Sequence, residues 1–207
     1  MTSNRLKYKP TLNLNSILQN RDHHKDELKN ASSVYQLFHA YSSESKNIYW
    51  TSLEYIKKII NNVDECMDNK IIIIINLITE NDTYISNCTN KNIKYFHIPI
   101  EDNFTSGKII TNNFNKIIDI YKIWNNSNSK IDMIFHCKMG IHRSFSIATL
   151  LSMFLYHKKN SPRDYIPKDC DYYSHVDKIQ SSNKFIFEPT SLTNNNIEYM
   201  YKLFITC

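Results

Sequence analysis

Residues 134–146 read IFHCKMGIHRSFS. In this stretch a cysteine, Cys137, is followed by a glycine, Gly140, and then by Arg143 and Ser144. Each has a chemistry to offer. A cysteine thiolate is a strong nucleophile. Arginine presents a planar fork that can hold two oxygens of a phosphate. A serine hydroxyl can give its hydrogen bond to a thiolate. The glycine is the sharper observation, because the chain has only two glycines in 207 residues. One kept here marks a tight turn or a close approach that no side chain can share. Taken singly, Cys137 reads as a buried structural thiol and Arg143 as a surface ion pair. Their order and spacing together point to nucleophilic attack on a bound anion.

That chemistry needs a strand-to-helix junction, and the flanking sequence supplies one. KIDMIFH (130–136) predicts a buried strand, and SFSIATLLSMFLYH (144–157) predicts a strongly apolar helix. The first N–H groups of a helix are unpaired and its dipole is positive there, so an anion is stabilised. A loop of successive N–H groups curled round one point binds phosphate. Curling it that tightly needs one residue without a Cβ, which gives Gly140 its task. The same field favours a thiolate at Cys137.

The rest of the chain must position this junction. NIYWTS (47–52) predicts a short strand, and SLEYIKKIINNV (52–63) places Leu53, Ile56, Ile59, Ile60 and Val63 at helical spacing. KIIIIINLITE (70–80) lacks polar alternation, as a strand buried on both faces does. IKYFHIPI (93–100) is another strand, followed by the polar loop EDNFTSGK (101–108). A helix is expected over 111–124, with Phe114, Ile117, Ile118, Tyr121 and Trp124 on one face. The alternation implies an α/β fold: a single domain with a central, mostly parallel sheet flanked by helices. Beyond it, NSPRDYIPKD (160–169) reads as a loop, DYYSHVDKIQ (171–180) as a helix and KFIFEP (184–189) as extended chain. TNNNIEYMYKLF (193–204) carries an N-cap signal before an amphipathic helix.

Residues 1–32 are polar and mixed in charge and read as a flexible N-terminal arm, with a short helix near 12–19. The domain proper is assigned to 33–207. In the arm, His23 and His24 beside Asp22 and Asp26 read as a solvated tail, not a metal site. Hydrophobic content of 42% and aromatic content of 13% suffice for a sizeable core. No apolar run approaches the ~20 residues of a membrane span, and residues 1–15 lack the apolar centre of a signal peptide. A formal net charge of +5 favours anionic partners without specifying one. Cys66, Cys88, Cys137, Cys170 and Cys207 are odd in number, scattered and without a Cys-x-x-Cys pair. That argues against a disulfide framework or a zinc site and for a cytoplasmic or other reducing intracellular compartment.

HCKMGIHRS resembles the signature of the cysteine-dependent protein tyrosine phosphatase superfamily: His-Cys, five residues, then Arg-Ser/Thr. The order of NIYWTS, IIIIINL, YFHIPIED and HCKMGIHRS is similar to that of the small dual-specificity, vaccinia H1-like group. The resemblance covers roughly residues 45–157. It implies that Cys137 takes up the phosphoryl group and that Arg143 binds the phosphate. It implies that Ser144 helps the thiolate leave and that His136 orients the loop and tunes the cysteine. The phosphate loop would comprise His136, Lys138, Met139, Gly140, Ile141, His142 and Arg143. Alanine is usual in the family where Met139 stands, and a small or polar residue where His142 stands; a change of substrate preference is expected from both, not of chemistry. The family's Arg-x-x-x-Pro-Asn run is missing before the last helix, and Thr193-Asn194-Asn195 is expected to replace its capping function.

Expelling an alkoxide is easier if a proton is supplied. In HIPIEDNFTSG (97–107) both Glu101 and Asp102 are available, and Asp119 lies inside the expected helix. The resemblance favours Asp102. It requires neither metal nor cofactor. The short chain leaves little room for elements that deepen the pocket of larger tyrosine-specific enzymes, so phosphotyrosine, phosphoserine and phosphothreonine in proteins are the expected substrates. RNA 5′-triphosphate is an alternative, since Gly140-Ile141 fits that branch and Ser144-Phe145 departs from its Thr-Gly. Phosphoinositide is another: Lys138 matches one of that branch's two loop lysines, and no second is present. A phosphopeptide-binding pseudophosphatase is disfavoured because Cys137 and Arg143 are both there. By analogy alone, the N-terminal arm is a candidate for homodimer formation.

Overall fold

Five successive isoleucines cannot be solvated on either side of a strand, and the fold is built around that constraint. In the computed structural model, which describes residues 37–62, 70–79, 92–102, 107–183 and 189–207, Ile71–Asn76 form the strand β3. Ile72 through Ile75 are all buried. Alternate residues enter different cores. Ile73 and Ile75 join the large cluster of Phe114, Phe135, Phe145 and Phe154. Ile72 and Ile74 pack with Ile56 and Ile134 in a smaller one.

The other strands are β1 (Phe38–Ser42), β2 (Lys46–Ser52), β4 (Ile93–His97) and β5 (Ile131–Cys137). They form one sheet in the order β1-β2-β5-β3-β4. β1 pairs antiparallel with β2, and the remaining pairings are parallel. The mostly parallel α/β sheet expected from the sequence is therefore present. β5 is central, and all seven of its residues are buried. The smaller core is roofed by α1 (Leu53–Asn62), through Ile56. On the opposite face lie α2 (Gly107–Asn125), α3 (Arg143–Asn160), α4 (Asp169–Asn183) and α5 (Asn194–Ile205), each contributing to the larger core.

Several boundaries differ from expectation. β1 is not legible in the sequence. FHAYS has no clear period, and the strand is held by tertiary partners: Phe38 stacks on Trp50 with ring centroids 5.3 Å apart. α2 begins at Gly107, earlier than residue 111, with the Thr111 hydroxyl donating to the Gly107 carbonyl. A Cβ at Gly107 would lie 2.3 Å from the Ser191 carbonyl oxygen, so the chain after α4 runs against this glycine. α5 starts as expected. Thr193 is its N-cap, and its hydroxyl and backbone N–H are both bonded to Asn196 in a capping box.

No helix among the described residues is long and apolar enough to cross a membrane. The expected arm, its histidine cluster, Cys66, Cys88 and residues 184–188 lie outside the described residues.

Candidate active site

Parallel α/β sheets offer a crevice at the carboxyl ends of their strands, and the cysteine stretch lies there. Cys137 is the last residue of β5. Its register partner on β2 is Ser52, and His136 is flanked by Thr51 on β2 and Asn76 on β3. The loop that follows is tied to α1 by the Leu53 N–H, which donates to the Lys138 carbonyl at 3.3 Å. Gly140 has φ of +75°. That left-handed conformation turns its N–H back onto the cysteine sulfur, at 3.3 Å. The hydroxyl of Ser144 is also 3.3 Å from Sγ. Cys137 is thus buried, with an amide N–H donating to its sulfur and a hydroxyl within hydrogen-bond distance of it.

Gly140 has a second reason to lack a side chain. A Cβ there would sit 2.6 Å from the carbonyl carbon of Thr51 and 2.7 Å from the backbone nitrogen of Ser52. The loop is therefore both curled and pressed against the end of β2. Lys138 and Met139 extend their side chains into solvent, and Ile141 is half-buried. The N-cap of α3 is His142, which makes no side-chain cap bond. The first turn of α3 keeps the anion-binding character of an uncapped helix start.

Arg143 is the first residue of α3, and its side chain is buried. Nη1 donates to the carbonyls of Leu77, at 3.1 Å, and Ile100, at 2.8 Å. These bonds fix the guanidinium plane. Nη2 donates to Oδ2 of Asp102 at 3.2 Å. Nε is buried and has no hydrogen-bond partner among the described residues. Nε and Nη2 share one edge of the fork, the edge suited to two oxygens of a tetrahedral anion.

Asp102 reaches this position by a short ladder that outlasts the strands. The N–H of Leu77 donates to the His136 carbonyl, that of Ile98 to Asn76, and that of Ile100 to Leu77. The chain after β4 therefore arrives beside β5's carboxyl end. Of the two adjacent carboxylates, Asp102 reaches Arg143, while Glu101 is exposed. Asp119 is elsewhere, paired with Lys122 at 3.1 Å on the exposed side of α2.

His142 has partners that its place in the sequence did not reveal. Its Nδ1 is 3.0 Å from Oδ1 of Asp102, and its Nε2 is 3.3 Å from the Thr190 hydroxyl. Thr190 in turn is held by its N–H, which donates to the Ser146 hydroxyl oxygen at 2.7 Å. Neither Thr190 nor Ser146 was identifiable in the sequence. Ser146 is one helical turn beyond His142, but nothing local marks residue 190 as its partner.

His136 is fully buried, and neither ring nitrogen is bonded among the described residues. Burial, with His97 and Arg143 adding nearby positive charge, pushes its pKa down to about 3. It is a neutral ring.

No protein-family model matches the chain, and no curated protein matches it in sequence. Solved structures do match. The Yvh1 phosphatase domain from Chaetomium thermophilum superposes with a TM-score of 0.53 at 12% identity, over 83% of this chain and 96% of that one. DUSP15 superposes with a TM-score of 0.55 at 15% identity, over 82% and 93%. At such identities the likeness is one of fold.

Proposed function

From the cysteine-dependent protein tyrosine phosphatase fold that this chain adopts, we propose a phosphatase of the dual-specificity group. It hydrolyses phosphotyrosine and phosphoserine or phosphothreonine in proteins through a phosphocysteine intermediate. One observation carries the reading. A buried sulfur with an amide and a hydroxyl on it lies at the same strand end as a guanidinium edge and a carboxyl group. One structural neighbour is by name a phosphatase domain, which supports the same class.

In the first step the Cys137 thiolate attacks phosphorus and the ester P–O bond breaks. The leaving oxygen takes the proton of Asp102. Arg143 holds two of the phosphoryl oxygens through Nε and Nη2, so Asp102 must first leave Nη2. In the second step water attacks phosphorus and gives its proton to Asp102. The S–P bond breaks, and Ser144 stabilises the departing thiolate by donating its hydroxyl. Inorganic phosphate is released and the starting protonation is restored.

The test is a side-by-side assay of phosphotyrosine, phosphoserine and phosphothreonine peptides, 5′-triphosphate RNA and phosphoinositides, with wild type and Cys137→Ser. Turnover of the phosphopeptides is expected for wild type only. Retained turnover in Cys137→Ser would overturn the nucleophile assignment. A clear preference for RNA or lipid would overturn the substrate class while leaving the chemistry standing.

A further inference from the structure

The carboxylate proposed as the acid is bound by the same guanidinium that must bind the substrate. When phosphate occupies the Nε–Nη2 edge of Arg143, Oδ2 of Asp102 gives up its bond to Nη2. Asp102 is exposed, with 59% of its side-chain surface accessible. Holding such an exposed carboxyl in one rotamer costs free energy, and each contact that orders it over the leaving group offsets part of that cost.

We propose that His142 is the positioning residue for Asp102, a tether that keeps the acid at the site when phosphate displaces it from Arg143. The inference rests on the phosphatase reading above. The geometry has four parts. His142 contacts the other oxygen of the carboxyl, Oδ1, so its bond does not compete with the phosphate. Its ring is well buried, with 14% of the side chain exposed, whereas Asp102 is open to solvent. It is the N-cap residue of α3, directly before Arg143, so acid and phosphate clamp share one backbone anchor. Its far nitrogen is fixed by Thr190, and its own carbonyl accepts from the Ser146 hydroxyl at 2.8 Å.

The hydrogen-bond roles are mutually consistent. Ser146 has one hydroxyl proton, and the shorter of its two acceptor contacts is the His142 carbonyl at 2.8 Å, against 3.2 Å to Thr190 Oγ1. The Thr190 hydroxyl is then able to donate to Nε2. Nδ1 then carries the ring proton and donates to Asp102, as a carboxylate partner requires.

The experiment compares a phosphoserine peptide, whose alkoxide needs the proton, with p-nitrophenyl phosphate, which needs it little. His142→Ala is expected to lower kcat on the peptide by about ten-fold or more, a part of the roughly 10²–10⁴-fold that a positioned acid supplies. The aryl ester should lose distinctly less. KM and vanadate affinity should move distinctly less than kcat, because the His142 side chain contacts Asp102 and Thr190 and the loop backbone and Arg143 are retained. His142→Asn, which keeps a donor near the Nδ1 position, should recover most of the loss. In an Asp102→Asn background, His142→Ala should add little. If His142→Ala does not fold, His142→Leu fills the space without a donor and is read the same way. Equal losses on both substrates, full additivity with Asp102→Asn, or a parallel fall in vanadate affinity would each overturn the tether while leaving the phosphatase reading intact. An Asp102→Asn variant with no leaving-group dependence would overturn both the acid and its tether. Turnover by Cys137→Ser would remove the phosphatase reading itself.

Discussion

Replacing Gly140 by alanine tests the loop at its tightest point. Two costs add. A residue with a Cβ at φ of +75° is held in the left-handed region, at roughly 1–2 kcal/mol. The Cβ would also lie 2.6 and 2.7 Å from backbone atoms of Thr51 and Ser52, where ordinary contact is about 3.5–4.0 Å. Those two residues are the end of β2, paired with His136 and Cys137 on β5, and cannot easily yield. The loop must retreat instead, by about 1 Å, and such overpacking costs roughly 1–3 kcal/mol. The sum is roughly 2–5 kcal/mol. For a domain of this size that lowers the melting temperature by roughly 4–20 °C. The retreat carries the Gly140 N–H away from Sγ, and a misplacement of about 1 Å is enough to cost on the order of 10²-fold in kcat. Circular-dichroism melting and turnover of p-nitrophenyl phosphate, measured on the same preparation, decide it. A variant that melts within about 2 °C of wild type, below the smallest shift expected here, and keeps its kcat would refute the argument from both conformation and contact.

Other expectations follow from the same geometry. Arg143→Lys should lose at least about 10²–10³-fold in kcat, because an ammonium cannot bond Leu77, Ile100 and two phosphoryl oxygens together; near-normal activity would exclude the clamp. His136 is held at a pKa of about 3, below its ordinary 6.5, so the folded state disfavours the proton. Its contribution is complete above pH 6.5 and is lost as pH falls toward 3, at on the order of 1.4 kcal/mol per pH unit. His175, also driven down by burial to about 4, acts in the same direction. Urea midpoints taken from pH 7 to pH 4.5 should therefore fall, and a flat profile would contradict a buried neutral His136. Thr193→Ala removes the α5 cap and should cost about 1 kcal/mol in urea unfolding, with the kcat for p-nitrophenyl phosphate retained; a large kcat loss would mean the cap reaches the site.

What the sequence determined was local. Cys137, Gly140, Arg143 and Ser144 lie within eight residues of one another, so a strand-to-helix junction brings them together whatever the rest of the chain does. The run of isoleucines carried its own demand for burial on both faces. Thr193 and Asn196 closed their box within one turn. The tertiary structure decided matters that depend on distant chain. The choice of Asp102 over Glu101 at Arg143 came from the ladder joining Leu77, Ile98 and Ile100 to their neighbours. β1 exists because Trp50 and the edge of β2 await it. Gly140 could be read as a turn residue, but its contact with Thr51 could not, since β2 is more than eighty residues upstream. His142 looked like a change of preference and is bonded to Asp102 and Thr190, forty residues before it and forty-eight after. Side-chain partners separated by that much chain leave no period or spacing in a sequence; only the folded backbone sets the distance between them.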